Sequence, residues 1–370
     1  MADMNLTPSR PNLTPEQFEA ELWTEYVREN QFAPYMKGGD NGMNGLIHVN
    51  EDLSRKPGDT IVFATARKLI GAGVTGNQIL EGNEELLDLR SMSLKIGVIR
   101  HAVAVSKWDR QKSFHDLLQV ARPALKNWSM EKMRVEITTA FSSMNGVPFA
   151  AATATQRNEW LADNADRVLF GLNRSNNAGN VMAASLANID STNDKMSGRL
   201  LSKAKRLARN THPAIRPIQV NKNGEWFVAF MPSNHFRDFK LDTAVQEAYK
   251  LAMERGKDNP LFTDGDLIWD GIIVKEIPEM PVIAAAGAVE GTAIDVAMTA
   301  LCGAQAIGVG WAQKLQITEN ERDYKFSKGV GIEEMRGIGK LRFGKNPADD
   351  QSDLVDAGVF SIFASATADN

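Results

Sequence analysis

The string Gly339-Lys340-Leu341-Arg342-Phe343-Gly344-Lys345-Asn346 has the spacing of a phosphate-cradling loop: glycine, four residues, then Gly-Lys. Such a loop works because backbone amides and the lysine surround phosphate oxygens, a following hydroxyl holds magnesium, and a helix begins there. Here Asn346 stands where the hydroxyl is needed, and Pro347-Ala348-Asp349-Asp350 reads as loop. Leu341 and Phe343 alternate with Lys340 and Arg342, so the string is expected to be a half-buried strand. Gly329-Val330-Gly331 lacks the third glycine of a dinucleotide fingerprint, because position 334 is Glu. His48, His101, His115, His212 and His235 stand singly, none three or four residues from another, so no pair has metal-ligand spacing. Asp264-Gly265-Asp266 is too short for a calcium loop, and no Gly-x-Ser-x-Gly elbow occurs. The sequence therefore nominates no catalytic residue, no cofactor-binding residue and no metal ligand.

Composition narrows the classes further. The 370 residues are 43% apolar and 24% charged, enough chain for about two to three structural units and a core without staples. The single cysteine, Cys302, excludes an internal disulfide framework and a cysteine zinc site. Forty-two Lys and Arg against 46 Asp and Glu give a net charge of -4, which argues against wrapping nucleic acid with the whole surface. The first twenty residues have no charged-then-apolar order, so no secretory signal is expected, and the lone thiol fits a reducing compartment. Residues 296–312 contain no charge but include Thr299, Gln305 and three glycines. They are expected to form a buried helix or a helix–strand pair, not a membrane span.

The remaining question is what this chain positions. Residues 1–14 read as a loose tail. Thr14-Pro15-Glu16-Gln17 then offers a cap, a first-turn proline and a capping-box glutamine. Phe18, Leu22, Trp23, Tyr26 and Val27 follow as one apolar stripe, and the run Lys37-Gly38-Gly39-Asp40-Asn41-Gly42 is flexible. A striped helix tethered by loose chain on both sides packs either on its own core or on a neighbouring subunit. Thr60–Ala66 reads as a strand, and Met92, Leu94, Ile96 and Val98 alternate as a second. The alternation changes phase beside Gly97, suggesting a bulge or sharp twist in one long strand.

Between these strands lies a glycine-rich tip of the kind that is usually functional or disordered. Arg67 and Lys68 mark its near limb, and Glu81, Glu84 and Glu85 its far limb. Leu69, Ile70 and Ile79 make it too apolar for a permanently solvated loop. Ser106-Lys107-Trp108-Asp109 caps a helix whose apolar face runs from Phe114 to Met133 and on to about Ser142, with a kink expected at Pro123. A basic helix over 197–210, a hairpin turning at Asn221-Lys222-Asn223-Gly224 and a helix capped by Asp242 follow. The basic helix reads as a solvated face, since no aromatic interleaves to stack on bases. Strands are expected over 271–276, 328–333, 338–343 and 359–364, making the class α+β.

Several strings resemble the major capsid proteins of phages like the podophage named N-four. They are Gly58-Asp59-Thr60-Ile61-Val62-Phe63, Leu69-Ile70-Gly71-Ala72-Gly73-Val74-Thr75-Gly76 and Leu80-Glu81-Gly82-Asn83-Glu84-Glu85. Ile99-Arg100-His101-Ala102-Val103, Asn259-Pro260-Leu261-Phe262-Thr263 with Trp269-Asp270-Gly271, Gly303-Ala304-Gln305-Ala306, Asp323-Tyr324 and Gly337-Ile338-Gly339-Lys340-Leu341-Arg342-Phe343 continue the likeness. The matches run in family order over nearly the whole chain. The resemblance implies a Hong-Kong-97-type capsid fold with an N-terminal arm over 1–56 and an extended E-loop hairpin over 57–106. A peripheral domain would cover 107–225, with its spine helix over 107–145, and an axial domain would cover 226–327. Strands over 328–370 would return to the peripheral domain.

By the same resemblance the chain is a structural protein of the virion, without enzymatic activity or cofactor. Copies would assemble as hexamers and pentamers in the host cytoplasm around non-specifically held double-stranded DNA. Portal and scaffolding or decoration proteins would be further partners, and no membrane is implied. The implied inter-subunit contacts are Phe18, Leu22, Trp23 and Tyr26 of the arm, with Arg67, Lys68, Leu69, Ile70, Ile79, Glu81, Glu84 and Glu85 of the E-loop. A covalent cross-link is not implied, because Lys68, Asn77 and Asn83 are not enough for one. The alternatives are a nucleotide-dependent enzyme using 339–346 and a cellular nanocompartment shell.

Overall fold

The computed structural model describes residues 31–38, 44–51, 58–66, 69, 71, 73–77, 79–85, 89–113, 117–219, 224–253, 267–289, 292–346 and 349–367. The arm stripe over 18–27, the residues Arg67, Lys68 and Ile70, the helix stop at Gly256 and the Asp264-Gly265-Asp266 turn lie outside them.

Short strands β1 (Met36–Gly38) and β2 (Ile47–Asn50) come first, followed by β3 (Thr60–Ala66), β4 (Leu89–Lys95) and β5 (Gly97–Ser106). Then come α1 (Lys107–Lys112), α2 (Leu117–Phe141), α3 (Ala154–Asp163), β6 (Val168–Phe170), α4 (Met182–Ala187) and α5 (Gly198–Arg209). β7 (Ile218–Gln219), β8 (Glu225–Met231), α6 (Ser233–Leu241), α7 (Thr243–Met253), β9 (Leu267–Trp269) and β10 (Ile272–Glu276) lead on. The chain closes with β11 (Val282–Val289), β12 (Thr292–Cys302), β13 (Ile307–Arg322), β14 (Ser327–Lys340), β15 (Arg342–Asn346), β16 (Asp349–Asp356) and β17 (Val359–Ser365).

Two sheets dominate. One runs β1-β2-β13-β14-β5; the other runs β6-β17-β12-β8-β10-β9, with β11 on β12 and β7 on β8. In the first, α2 lies on the inner strands, where Leu125 packs with Val330 and Ile332, and Trp128 and Val103 close around them. Ser129 Oγ donates to Glu334 Oε1 at 2.9 Å, and Arg336 bridges Glu334 at 2.6 Å and Glu136 at 2.8 Å, so helix and sheet also share a buried ionic seam. In the second sheet, Phe227, Leu301 and Phe360 pack beneath Leu200, Leu201 and Ala204 of α5 and Phe239 of α6. A core of Phe32, Phe141, Phe230, Ile47 and Ile307 joins the two sheets.

The strand β3 has the expected bounds, and it pairs antiparallel with β4, Thr60 opposite Lys95 and Ala66 opposite Leu89. The phase change beside Gly97 is not a bulge in one strand. The chain leaves one sheet and joins another: β4 pairs with β3 whereas β5 pairs with β14, and Ile96 between them donates its N–H to the Asp59 carbonyl at 2.9 Å. The uncharged stretch 296–312 is a pair of strands, β12 and β13, turning at Gln305 with φ +57°, not a helix. Buried strands carry no alternation, which is why the stretch reads equally as helix. No helix among the described residues is long and apolar enough to cross a membrane.

The helix expected over 107–145 is two helices. Ser106 caps α1 by accepting from the Asp109 N–H at 3.0 Å, but Ser113 is extended at ψ 133° and ends it; α2 then runs through Pro123 and stops at Phe141. Within the expected arm, Phe32, Leu46 and Ile47 are fully buried, and β2 pairs with β13. β17 sits between β6 and β12, while β13 pairs with β14 beneath α2. In both cases pairing partners distant in sequence decide the sheet, and no local signal reports them.

Candidate inter-subunit surface

Glycines prepare the seat of the β3–β4 hairpin. A Cβ on Gly310 would lie 2.7 Å from Ile61 Cδ1, one on Gly308 3.0 Å from the Phe63 ring, and one on Gly339 2.8 Å from Leu94 Cδ1. At Gly337 a Cβ would overlap the Lys95 carbonyl. Bare backbone on β13 and β14 thus lets the hairpin lie flat, with Ile61, Phe63 and Leu94 packed against Leu341 and Phe343. His48 adds an edge-on contact to Phe63 at 5.2 Å between centroids. So the ladder is held on the body through Ile61, Phe63 and Leu94, and the described residues between Ala66 and Leu89 form an overhang.

The described residues of that overhang face solvent. Leu69 is 56% exposed, Ile79 74% and Leu80 62%. Glu81, Glu84 and Glu85 are exposed as well. The acidic limb is internally braced: Gly82 N–H donates to Glu84 Oε2 at 2.7 Å, Gly71 N–H to Glu85 Oε2 at 2.6 Å, and Asn83 Nδ2 to the Ile79 carbonyl at 3.0 Å. These bonds hold the carboxylates on the surface without burying the neighbouring apolar side chains. Of the sequence-nominated contacts, the structure brings together Leu69, Ile79, Glu81, Glu84 and Glu85 on this one overhang.

At the outer end of the hairpin opens a cleft of about 1070 Å³, bounded by Thr65 and Ala66, the loop 209–216, and β15 and β16. Arg90, Arg209, Arg216 and Lys345 line it beside His212, and none of the described lining residues carries a carboxylate. Phe343 and Val355, both buried, form part of its wall. Arg209 also meets Glu225 at 3.0 Å across an exposed pair, and Arg216 donates to Asn44 Oδ1. Sequence reasoning missed this cleft, because its cations come from positions 90, 209, 216 and 345 and no spacing links them.

Behind the cleft wall the string that resembles a phosphate loop does different work. Lys340 is buried, donating from Nζ to Asp356 Oδ2 and to the Ser143 carbonyl, each at 2.9 Å. Trp160 Nε1 donates to the same carboxylate oxygen at 3.2 Å, Arg167 bonds the Asp356 carbonyl, and Asn164 Oδ1 accepts from the Asp356 N–H at 2.9 Å. Gly339 pairs with Gly308 near the end of β14, and Gly344 and Lys345 lie within β15, so the string is strand on both sides of Leu341 and no helix starts at Lys345. The nucleotide reading fails on that geometry. The basic helix is amphipathic: Arg199, Arg206 and Arg209 are exposed as expected of a solvated face, Lys205 pairs with Asp270 at 3.3 Å, Lys203 donates to the Leu172 carbonyl, and Leu200, Leu201, Ala204 and Ala208 are buried.

The titratable groups serve the fold. His235 is fully buried between Thr299 Oγ1 at 2.7 Å and the Ala364 carbonyl at 3.2 Å, and burial lowers its pKa to about 4. Burial also raises the Cys302 thiol far above its ordinary range, leaving it inert, and lowers His48. Hydrogen bonds from Lys328 and Arg122 hold the Glu319 carboxyl below its usual value, tying α2 to the long β13–β14 hairpin. No cluster that could hold a metal ion occurs among the described residues.

A family model described as "Phage capsid protein" matches residues 8–368. The chain is 26% identical over 376 residues to the major capsid protein of Pseudomonas phage KPP25, covering 96% of each chain. Among solved structures it is similar to the capsid asymmetric unit of cyanophage Pam1, with a TM-score of 0.83, 30% identity and 100% of both chains covered. It also resembles the capsid of Ralstonia phage GP4, with a TM-score of 0.74, 21% identity and 100% coverage of both, a likeness of fold. The α+β architecture is thus the Hong-Kong-97-like fold of phage capsids. A match over essentially the whole length, on a body that holds an apolar and acidic loop out into solvent, makes the chain a member of the phage capsid protein family.

Proposed function

We propose that the chain is the major capsid protein of a tailed phage, many copies of which close into an icosahedral head around double-stranded DNA. The observation that carries this reading is the overhang at 69–85, whose exposed Leu69, Ile79 and Leu80 have no reason to face water in a solitary subunit. The role is structural, as in the family, with no reaction step. Mechanically, each copy contributes extended surfaces, and repetition turns individually weak contacts into a stable shell. A net charge of -4 suits a container that holds its genome without gripping it.

Finer points belong to the same proposal. The likeness to N-four-like podophages suggests hexamers and pentamers, with portal and scaffolding or decoration proteins as partners, assembled in the host cytoplasm into the virion. The E-loop is the overhang at 67–88, and the arm is confined to residues before 31. The α2-bearing sheet with β5, β13 and β14 is the peripheral layer; the eight-stranded sheet with α3 to α7 is the axial one. The purified chain is expected to sediment as closed shells or capsomers. A strictly monomeric species at high concentration would refute the reading, and shells holding protein instead of DNA, read from the ratio of absorbance at 260 to 280 nm in particles from infected cells, would replace it with a nanocompartment.

A further inference from the structure

We propose that Asn145-Gly146 is a self-modifying site: Asn145 loses its side-chain amide nitrogen by intramolecular ring closure, and the carboxylate that replaces it pairs with Arg342. The reaction needs no second copy and no bound group, only water. Arg342, in β15, carries a guanidinium whose Nε is buried without a hydrogen-bond partner, and no carboxylate among the described residues forms an ion pair with it. Asp356, opposite it in the β15–β16 register, gives Oδ2 to Lys340 and Trp160 instead. Burial accordingly lowers the Arg342 pKa. A buried donor left unpaired costs stability, so its surroundings call for a reason. What Arg342 does touch is Asn145: Nη1 donates to the amide Oδ1 at 3.3 Å, and Nη2 lies 3.1 Å from where a Cβ on Gly146 would stand.

The turn leaves this amide open to attack. Asn145 and Gly146 lie in the left-handed region at φ 50° and 84°, between Met144 and Val147, which exchange backbone bonds at 2.8 and 3.0 Å. Gly146 is exposed, its N–H donates to no described group, and it has no Cβ to hinder approach to Asn145 Cγ. The Gly146 nitrogen gives its proton to water and attacks Cγ; the N–Cγ bond forms, the Cγ–Nδ2 bond breaks, and the nitrogen leaves as ammonia. Water then opens the cyclic imide at either carbonyl, giving aspartate or isoaspartate at position 145. Arg342 Nη1, already on Oδ1, stabilises the negative charge that develops there during attack and afterwards holds the carboxylate by a charge-assisted bond. The Met144–Val147 pairing resists the rotation that closure requires, so the product accumulates with the age of the folded protein. A neutral amide thereby becomes the anion that Arg342 lacks, tying the turn after α2 to β15. Asn44-Gly45 also has an arginine contact, from Arg216, but Gly45 is buried and Arg216 exposed, so neither closure nor product is favoured there.

Full-length protein aged at neutral pH in water enriched in heavy oxygen, then peptide-mapped by mass spectrometry, tests it. The peptide containing position 145 should accumulate aspartate and isoaspartate carrying the label, while Asn44 keeps its amide. Arg342→Gln should slow conversion at 145 about tenfold, the loss expected for one charge-assisted contact to the reacting oxygen. Asn223-Gly224, the same dipeptide elsewhere in the chain, should keep its rate in that variant. Asn145→Asp, which leaves Arg342 in place, is read independently: its urea midpoint should exceed that of unaged wild type, and the gain should vanish when Arg342→Gln is added. An amide retained at 145 while Asn223 converts, an unchanged rate at 145 in Arg342→Gln, or a midpoint for Asn145→Asp at or below wild type would each overturn the proposal. None of these readings depends on shell formation, so the capsid reading stands or falls separately.

Discussion

His235 couples the fold to acidity. The unfolded chain takes up a proton on this residue near pH 6.5, the folded chain only near 4. Between those values the unfolded state binds more protons, so stability is full above 6.5 and falls as the pH drops. The group is fully buried, and the loss is on the order of 3 kcal/mol. His48, lowered in the same direction by burial, adds to the slope. Thermal melts from pH 7 to 4.5 should show His235→Gln losing less stability than wild type; parallel curves would exclude His235 as the cause. The Lys340–Asp356 pair makes a second prediction at this scale. Lys340→Met leaves a buried carboxylate without its cation beside Trp160, a change that costs about 3–5 kcal/mol. Urea unfolding measures it, and an effect below about 1 kcal/mol would mean the pair is solvated, since exposed pairs contribute no more than that.

At the element scale the hairpin seat is the feature to challenge. Gly337→Ala sets a methyl against the Lys95 carbonyl, a backbone atom that moves only if the hairpin moves. Overpacking of this kind costs about 1–3 kcal/mol. The variant should also make β3–β4 exchange its amide hydrogens faster than α2 does. Equal protection in both proteins would show that the hairpin is held by something other than its glycine floor. Strand β3 was legible because Gly58-Asp59 opens the β-branched and apolar run Thr60–Ala66, which the structure buries at Ile61 and Phe63 and exposes at Val62 and Ala64. The burial phase also switches between β4 and β5 as the residues implied, but what causes the switch is pairing with β14, far along the chain. The run from Val296 to Gly310 in β12 and β13 was illegible because strand residues buried on both faces read as an unbroken apolar run. α3 did carry a signal: Thr153 and Gln156 form a reciprocal capping box at 3.0 and 3.3 Å. α6 carried almost none, since Pro232 precedes it without any side-chain cap.

For the whole molecule, the boundary between arm and body decides what truncation does. Removing residues 1–30 should leave a cooperatively melting subunit that assembles poorly. Removing 1–50 takes away Phe32, Leu46 and Ile47 from the core that joins the two sheets, and losses of about 2–5 kcal/mol per large side chain should unfold it. Circular dichroism separates the two; a folded 1–50 deletion would return residues 31–50 to the arm. The described overhang was readable as apolar and acidic sequence, whereas the cleft was not, because its cations converge only in the folded chain. The central claim is that this subunit is built to be repeated. Electron cryomicroscopy of the full-length chain expressed alone or from infected cells tests it most directly. Closed icosahedral shells, with each overhang seated on an adjoining copy, are the predicted result; dispersed monomers at every concentration would contradict it.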